Sequence, residues 1–146
     1  MNMTLCGSIS LYDEMLDTKK RLEDLGHTVQ LPPSEIRDRN GVMISVQEYY
    51  ARRKATSDGE GWIWDRKTQA MTDHFNKVRW ADAILVVNEE KNAVAGYIGG
   101  NTLLEMGIAF FLEKPIFLLR DIPELPYKEE IIGMKPIVIH GELERI

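Results

Sequence analysis

Five short apolar runs alternate with segments of helical periodicity, and this alternation restricts the fold more than any other feature of the chain. The apolar runs lie at 3–6, 27–31, 83–87, 116–119 and 136–139. Apolar residues recur at helical spacing in 11–25, 66–80, 101–112 and 127–132. Strands that alternate with helices in this way form a largely parallel sheet covered on both faces. The pattern therefore predicts an α/β fold.

The order of the strands follows from the handedness of their connections. The first strand, the first helix and the second strand form a βαβ unit, in which Gly26 ends the helix. Right-handed crossovers then leave 2-1-3-4-5 as the simplest strand order. We predict a doubly wound, flavodoxin-like, five-stranded parallel sheet with helices on both faces, in a single domain over 1–146.

The segment from about 33 to 65 departs from this alternation. A short helix is predicted near 45–54, and a connection of this length is typical of a lid or a binding loop. We therefore predict a loop insert here. Trp62 and Trp64 either cover a flat ligand or anchor the loop on the core. The turn-forming residues of the segment are Pro33, Asn40-Gly41, Asp58-Gly59 and Gly61.

Composition and charge argue against several partners. A formal net charge of −5 and a pI near 5.2 argue against a nucleic acid polymer, and no apolar run reaches the roughly 18–20 residues that span a membrane. The single cysteine, Cys6, cannot form an internal disulfide, and the first residues do not resemble a signal peptide, so we expect a cytoplasmic protein. No cofactor is expected, and no metal, because the three histidines lack metal-ligand spacing.

The predicted binding site lies where the strand order reverses, between the first and third strands. Ligands of such sheets bind beyond the carboxyl ends of the strands at this point. Segments 7–12 and 88–101 enter the crevice there, and the hydroxyls after the first strand either hold a sugar or phosphate or form an ordinary turn. The candidate binding residues are Gly7, Ser8, Ser10, Tyr12, Asn88, Gly99, Gly100, Asn101 and Thr102.

Glu105 is the candidate catalytic residue, with two interpretations. It follows Thr102 by three residues, which is the spacing of a capping box. Alternatively, it is a carboxylate at the mouth of the crevice, kept ionised by the positive end of a helix and able to act as a nucleophile. Gly99 and Gly100, just before this helix, allow close approach of the backbone to a ligand or a positive φ.

Three blocks of sequence carry a resemblance to a known family. They are Leu5-Cys6-Gly7-Ser8-Ile9, Trp80-Ala81-Asp82-Ala83-Ile84-Leu85-Val86-Val87, and Leu104-Glu105-Met106-Gly107-Ile108-Ala109 with Lys114-Pro115-Ile116. In this order they resemble the nucleoside 2-deoxyribosyltransferases and the related 2′-deoxynucleoside 5′-phosphate N-hydrolases. The resemblance implies a small-molecule nucleoside or nucleotide as ligand and a homo-oligomer with sites completed across subunits.

The resemblance also implies a mechanism. Glu105 would attack the anomeric carbon of a 2′-deoxyribonucleoside and form a covalent ester, which a second base or water would resolve with retained configuration. A second family carboxylate, which helps to protonate the departing base, aligns with His74, next to Asp73. Either Asp73 serves after a shift of one residue, or His74 transfers the proton, or the step is altered.

A second departure concerns the 5′-phosphate. The family's nucleotide hydrolases carry a serine six residues before the nucleophile, where this chain has Gly99. This favours a nucleoside ligand over a nucleotide.

Three functions follow from these interpretations. The leading hypothesis is an enzyme that transfers 2-deoxyribose between nucleobases. The first alternative is an N-glycosidase that hydrolyses (deoxy)nucleosides or nucleoside 5′-monophosphates. The second alternative is a non-catalytic module that binds or senses a nucleotide derivative.

Overall fold

The central feature of the computed structural model, which describes residues 1–56 and 60–146, is a five-stranded parallel sheet. Its strand order is β2-β1-β5-β6-β7, which is 2-1-3-4-5 when only the strands of this sheet are counted. The predicted doubly wound order is confirmed. The strands are β1 (Asn2–Cys6), β2 (Thr28–Gln30), β5 (Ala83–Val86), β6 (Ile116–Leu118) and β7 (Ile137–Val138).

The helices lie close to the positions that the periodicity predicts. Gly26 follows the first helix with φ +94°, as expected of a C-terminal glycine. None of the helices in 1–56 and 60–146 is both long and apolar enough to cross a bilayer. The helices are α1 (Tyr12–Asp24), α2 (Val46–Ala55), α3 (Gly61–Trp80), α4 (Gly100–Phe111) and α5 (Lys128–Gly133), with short 3-10 turns at Ile9–Leu11 and Leu143–Arg145.

Alternation along β1 separates two apolar cores. Met3 and Leu5 pack on one face of the sheet with Met15 of α1. Cys6, the last residue of β1, packs on the other face with Val78 of α3 and Met106 of α4. Helices therefore cover both faces, and the carboxyl end of β1 points a side chain towards α3 and α4.

The segment over 33–65 is more regular than predicted. β3 (Glu35–Arg37) and β4 (Met43–Ser45) form an antiparallel hairpin, whose turn is held by the Asp38 carboxylate accepting from the backbone N–H groups of Asn40 and Val42. The Ser45 side chain accepts a hydrogen bond from Glu48 N at 3.1 Å and so caps α2. The prediction of a loop was wrong for residues 35–37 and 43–45, which form strands. The predicted short helix near 45–54 is confirmed. The predicted Asp58-Gly59 turn lies outside the described residues.

A third, smaller apolar cluster explains why this segment is ordered. It joins the hairpin, α2 and the first turn of α3, and it consists of Ile36, Ile44, Val46, Tyr49 and Ile63. The tryptophans lie in α3, which begins at Gly61, and not in a loop. Trp62 packs against this cluster, as the anchoring interpretation expects, and Trp64 is more than one-third exposed. Neither lines the cavity described below.

Candidate active site

A cavity of about 500 Å³ opens beyond the carboxyl ends of β1, β2 and β5. It lies at the predicted reversal point of the sheet and is bounded by the turn after β1, the start of α4, and one side each of α2 and α3. The structure brings most of the predicted residues together here. Those that line the cavity are Gly7, Ser8, Ser10, His74, Gly99, Gly100, Asn101, Thr102 and Glu105.

The start of α4 rules out the capping-box interpretation of Glu105. The N-cap is Gly99, which has no side chain, so Glu105 lies beyond the first turn of the helix. No side chain caps this end, and its backbone N–H groups border the cavity, where they are available to a ligand. Gly99 has φ −84° and not the positive φ that the sequence allowed.

Glu105, His74 and Cys6 meet at the bottom of the cavity from three separate elements. Glu105 Oε2 lies 3.7 Å from His74 Nε2, and donor atoms of all three side chains lie within 4.8 Å of one another. Both residues of the pair are buried, with 8% of Glu105 and 3% of His74 exposed. Over residues 1–56 and 60–146, Glu105 Oε2 and both ring nitrogens of His74 have no well-formed hydrogen bond; the Leu5 backbone lies close to His74 and the Cys6 thiol lies close to Glu105. Buried polar atoms without partners are rare, and in a cavity they are suited to receive a substrate.

Burial shifts the pKa values of this pair in opposite directions. It raises the pKa of Glu105 from 4.5 to about 8, and the Cys6 thiol and the Lys67 charge oppose this only in part. It lowers the pKa of His74 from 6.5 to about 4, and the nearby Lys77 charge adds to the shift. At neutral pH the pair therefore holds one proton, mostly on Glu105. The sequence-based expectation that the helix end keeps Glu105 ionised was wrong, because Glu105 lies beyond the first turn of α4 and is buried.

No protein-family model matches the sequence, and no curated protein matches it significantly. A matching solved structure is a 2-deoxyribosyltransferase from the psychrotolerant bacterium Bacillus psychrosaccharolyticus, described as a biocatalyst for nucleoside synthesis. In fold, this chain resembles that 2-deoxyribosyltransferase. The TM-score is 0.50 at 18% identity, and the match covers 81% of this chain and 71% of the other. The predicted resemblance is thus supported at the level of the fold.

Within this deoxyribosyltransferase-like fold, the structure distinguishes His74 from Asp73. His74 faces the cavity and Glu105, whereas Asp73 is exposed and does not line the cavity. Successive side chains of an α-helix are rotated by about 100° around the helix axis. The residue next to His74 therefore does not lie on the face of α3 that borders the cavity. Asp73 is therefore not brought to the site.

Tyr12 and Asn88 also lie outside the cavity, and both have structural contacts. The Tyr12 hydroxyl donates to Pro32 O at 3.3 Å. The Asn88 amide is buried, donates to the carbonyls of Gly96, Arg120 and Asp121, and accepts from Arg120 N at 2.8 Å. Asn88 thus fixes the loop after β5 to the end of β6 instead of contacting a ligand.

This loop has one position that requires glycine. Gly96 has φ +70°, and a Cβ there would lie 2.3 Å from Asp121 O. Gly99 and Gly100 were expected to allow either close approach to a ligand or a positive φ, and neither has a positive φ. The backbone constraint falls at Gly96, beside Asp121.

Lys91 connects the loop after β5 with the turn after β1. Asn92 and Ala93 both have positive φ and form a tight turn. Lys91 Nζ donates to Ser8 Oγ at 2.6 Å, and Ser8 Oγ lies 3.0 Å from Ser10 Oγ. The hydroxyls predicted to hold a sugar or phosphate therefore border the cavity beside a cation.

The main feature missed in the sequence is a wall of cationic residues from α2 and α3. Arg53, Lys54 and Lys67 line the cavity together with Tyr50. An available signal was the run Arg52-Arg53-Lys54 in an acidic chain, within the segment interpreted as a loop. Its relation to the site could not be predicted without knowing how α2 packs on α3.

Cys6, His74 and Glu105 are also residue types that bind zinc. Their proximity was not predictable from the histidine spacing, because each residue comes from a different element. Burial beside Glu105 raises the pKa of the Cys6 thiol well above its ordinary value, which opposes the deprotonation that a metal ligand requires. We therefore interpret this cluster through proton transfer.

Proposed function

We propose that this protein cleaves the N-glycosidic bond of 2′-deoxynucleosides through a covalent deoxyribosyl ester on Glu105, and transfers the sugar to a second base. The observation that carries the proposal is the buried pair of Glu105 Oε2 and His74 Nε2, 3.7 Å apart, in the lining of a cavity of about 500 Å³. The similarity to a 2-deoxyribosyltransferase supports it at the level of the fold.

The single proton of the pair is the one that the first step requires. Glu105 must lose a proton to attack C1′, and the departing base nitrogen must gain one. In the proposed step, the Glu105 proton moves to His74 and the carboxylate forms a bond to C1′. The C1′–N electron pair passes to the base, which takes the proton from His74. The products are a neutral base, a neutral His74 and a deoxyribosyl ester.

The second step reverses these transfers. A nitrogen of the incoming base attacks C1′ and gives its proton to His74, and the ester electrons return to Glu105. Two inversions at C1′ retain the configuration of the substrate. Cation-like charge develops on the sugar in both transition states, and the developing carboxylate stabilises that charge at close range in a water-poor site.

Base exchange is the direct test of this function. The protein is incubated with a 2′-deoxynucleoside and a different free base, and the new deoxynucleoside is measured. We expect exchange with the wild type and at least a 1000-fold loss, roughly, in Glu105→Ala, because no other acid lines the cavity among the described residues. The exposed Asp73→Asn is the matched control and should keep full activity.

Two outcomes would replace this function by an alternative. Free deoxyribose released at the same rate with and without acceptor base would indicate an N-glycosidase. Binding without any product would indicate a non-catalytic module.

The proposal extends to assembly and location. We propose a homo-oligomer whose interface includes the exposed apolar residues of α4, because Leu104 and Phe111 are 50% and 82% exposed on one side of that helix. The free Cys6 thiol fits a reducing, cytoplasmic environment.

A further inference from the structure

Two positive charges lie against one tyrosine ring in the wall of the cavity. Arg53 Cζ lies 5.4 Å from the centroid of the Tyr50 ring, and Lys67 Nζ lies 5.2 Å from the same centroid. Lys67 Nζ also donates to the Tyr50 hydroxyl at 3.1 Å. The ring holds cations from two different helices close together, although like charges repel each other.

Among the described residues, these cations lack the carboxylate partners that the neighbouring Arg52 has. Arg52 pairs with Glu48 at 2.6 Å and with Asp38 at 3.6 Å. Over the described ranges 1–56 and 60–146, no ion pair involves Arg53, Lys54 or Lys67. In addition, Arg53 Nε is buried and has no acceptor within residues 1–56 and 60–146. A buried guanidinium donor normally has an acceptor, so this one is suited to an oxygen supplied by a ligand.

The charge of the cavity contrasts with that of the whole chain. The chain carries a formal charge of −5, yet among the described residues that line the cavity Glu105 is the sole acid, beside Arg53, Lys54, Lys67 and, on the opposite rim, Lys91. Clefts lined by one sign of charge raise the local concentration of ligands of the other sign. An anion is therefore the ligand that this wall would attract.

We propose that Arg53, Lys54 and Lys67 bind a phosphate group of the ligand, so that the substrate is a nucleotide and not a neutral nucleoside. This inference rests on the proposed function for the rest of the ligand. A phosphate that is largely dianionic near neutral pH offers several oxygens to a guanidinium fork and two ammonium groups. The loss of the family serine at Gly99, which favoured a nucleoside, is offset by cations from another part of the fold.

The geometry allows one ligand to contact both ends of the cavity. Lys67 and His74 lie on the same side of α3, seven residues apart, which is two turns or about 10 Å along the axis. That separation is comparable to the length of a nucleotide. The glycosidic bond can lie at the Glu105–His74 pair while the phosphate reaches the wall, and a cavity of about 500 Å³ is within the usual range for such ligands.

The test measures binding without turnover. Calorimetry on Glu105→Gln compares each of the four common 2′-deoxynucleosides with its 5′-monophosphate. We expect at least one monophosphate to bind roughly tenfold or more tightly than its nucleoside, with a gain that shrinks as salt increases. Inorganic phosphate should weaken binding of the monophosphate and leave that of the nucleoside unchanged. Equal affinities within every pair would overturn the proposal.

A charge-matched pair of variants locates the phosphate. Both variants are made in Glu105→Gln. The triple variant Arg53→Gln/Lys54→Gln/Lys67→Gln should bind the monophosphate no more tightly than the nucleoside. The control Lys20→Gln/Arg21→Gln/Arg145→Gln removes the same charge from exposed positions elsewhere and should keep the higher affinity for the monophosphate. If the triple variant of the wall still binds the monophosphate more tightly than the nucleoside, the phosphate does not bind at this wall. If that variant does not fold by circular dichroism, the exposed Lys54→Gln alone should reduce the gain at least about twofold, and an unchanged gain would count against the wall.

This test is separable from that of the proposed function. A phosphate-dependent gain in Glu105→Gln, together with no bond cleavage by the wild type, would overturn the glycosidic function and leave the wall in place. Cleavage of deoxynucleosides without any phosphate-dependent gain would do the reverse.

Discussion

At the scale of single residues, the site depends on the free energy of burying one acid beside one histidine. Burial favours the neutral form of each, so Glu105 holds its proton up to about pH 8 and His74 stays neutral down to about pH 4. The buried acid costs folding free energy wherever the unfolded chain would ionise it, and such a cost is common at functional sites. The pair is thus arranged for proton transfer at the expense of stability.

The first residue-scale prediction concerns this cost. The folded state binds the Glu105 proton more tightly than the unfolded state, so stability falls as pH rises from about 4.5 to about 8. Glu105→Gln removes the ionisation and should raise the free energy of unfolding by on the order of 3 kcal/mol at pH 8.5, with little effect at pH 4.5. Urea denaturation at both pH values measures the difference.

Two results would argue against a buried, proton-holding Glu105. One is a stabilisation by Glu105→Gln that is the same at both pH values. The other is a destabilisation that grows with pH, which would mean that the folded protein stabilises the ionised form.

The second residue-scale prediction concerns His74 as the proton donor to the departing base. His74→Gln should reduce kcat/KM for deoxynucleosides by roughly 100-fold or more, because the base would leave without a proton. Above about pH 8, where Glu105 is already ionised, the loss should be less than about tenfold for 4-nitrophenyl 2-deoxyriboside, whose leaving oxygen needs no proton. Steady-state kinetics on both substrates above pH 8, with Asp73→Asn as control, give the comparison. Equal losses on both substrates at this pH would assign His74 a structural role.

Several of these residue roles could not be predicted from the sequence for definable reasons. Whether Asp73 or His74 faces Glu105 depends on how α3 is rotated about its axis relative to α4. The sequence does not give this rotation, and a shift of one residue changes the answer. Asn88 and Gly96 are polar and glycine residues in a crevice loop, a pattern typical of ligand contacts, but here they hold the loop to the residues after β6. The position of Glu105 beside the crevice could be predicted, because glycine residues and a helix start follow a central strand at the reversal point. Its catalytic role was implied by the family resemblance and stays a proposal.

At the scale of secondary structure, α3 is the element that organises the site. It carries Lys67 and His74 on the side that faces the cavity. The Thr4 hydroxyl donates to Lys77 O at 2.8 Å and Lys77 Nζ donates to Leu31 O at 2.7 Å, so the helix is fixed to the middle of β1 and to the end of β2. Sequence periodicity located α3 from residue 66 onwards, but residues 61–65 were assigned to a loop because Gly61 and two nearby tryptophans obscured the helical pattern.

The element-scale prediction concerns the outer side of α4. If Leu104 and Phe111 form an interface between copies of the chain, light scattering should give a mass at least twice the 16.8 kDa of one chain. Leu104→Ser/Phe111→Ser should lower that mass, whereas Leu16→Ser/Val42→Ser, at exposed positions elsewhere, should leave it unchanged. A monomeric wild type, or a mass that Leu104→Ser/Phe111→Ser does not change, would contradict this interface.

At the scale of the whole molecule, the alternation of strands and helices was sufficient to predict the sheet and its order. Because crossover connections between parallel strands are right-handed, few topologies are possible for five such strands. The position of the ligand site follows from the point at which the strand order reverses. The segment over 33–65 was less predictable, since its hairpin and α2 are stabilised by contacts with the first turn of α3 and not by local periodicity. That segment supplies Arg53 and Lys54, two of the three cations of the wall, so the interpretation of the ligand changed more than that of the fold.

The central claim is that Glu105 forms a bond to the sugar. Mass spectrometry of protein mixed with a deoxynucleoside or its 5′-monophosphate, quenched in acid within a turnover and digested, tests it most directly. The account predicts a peptide carrying Glu105 that is heavier by one deoxyribosyl or phosphodeoxyribosyl group, and no such peptide from Glu105→Gln. Product formation with an unmodified Glu105 peptide, or an adduct on another residue, would contradict it.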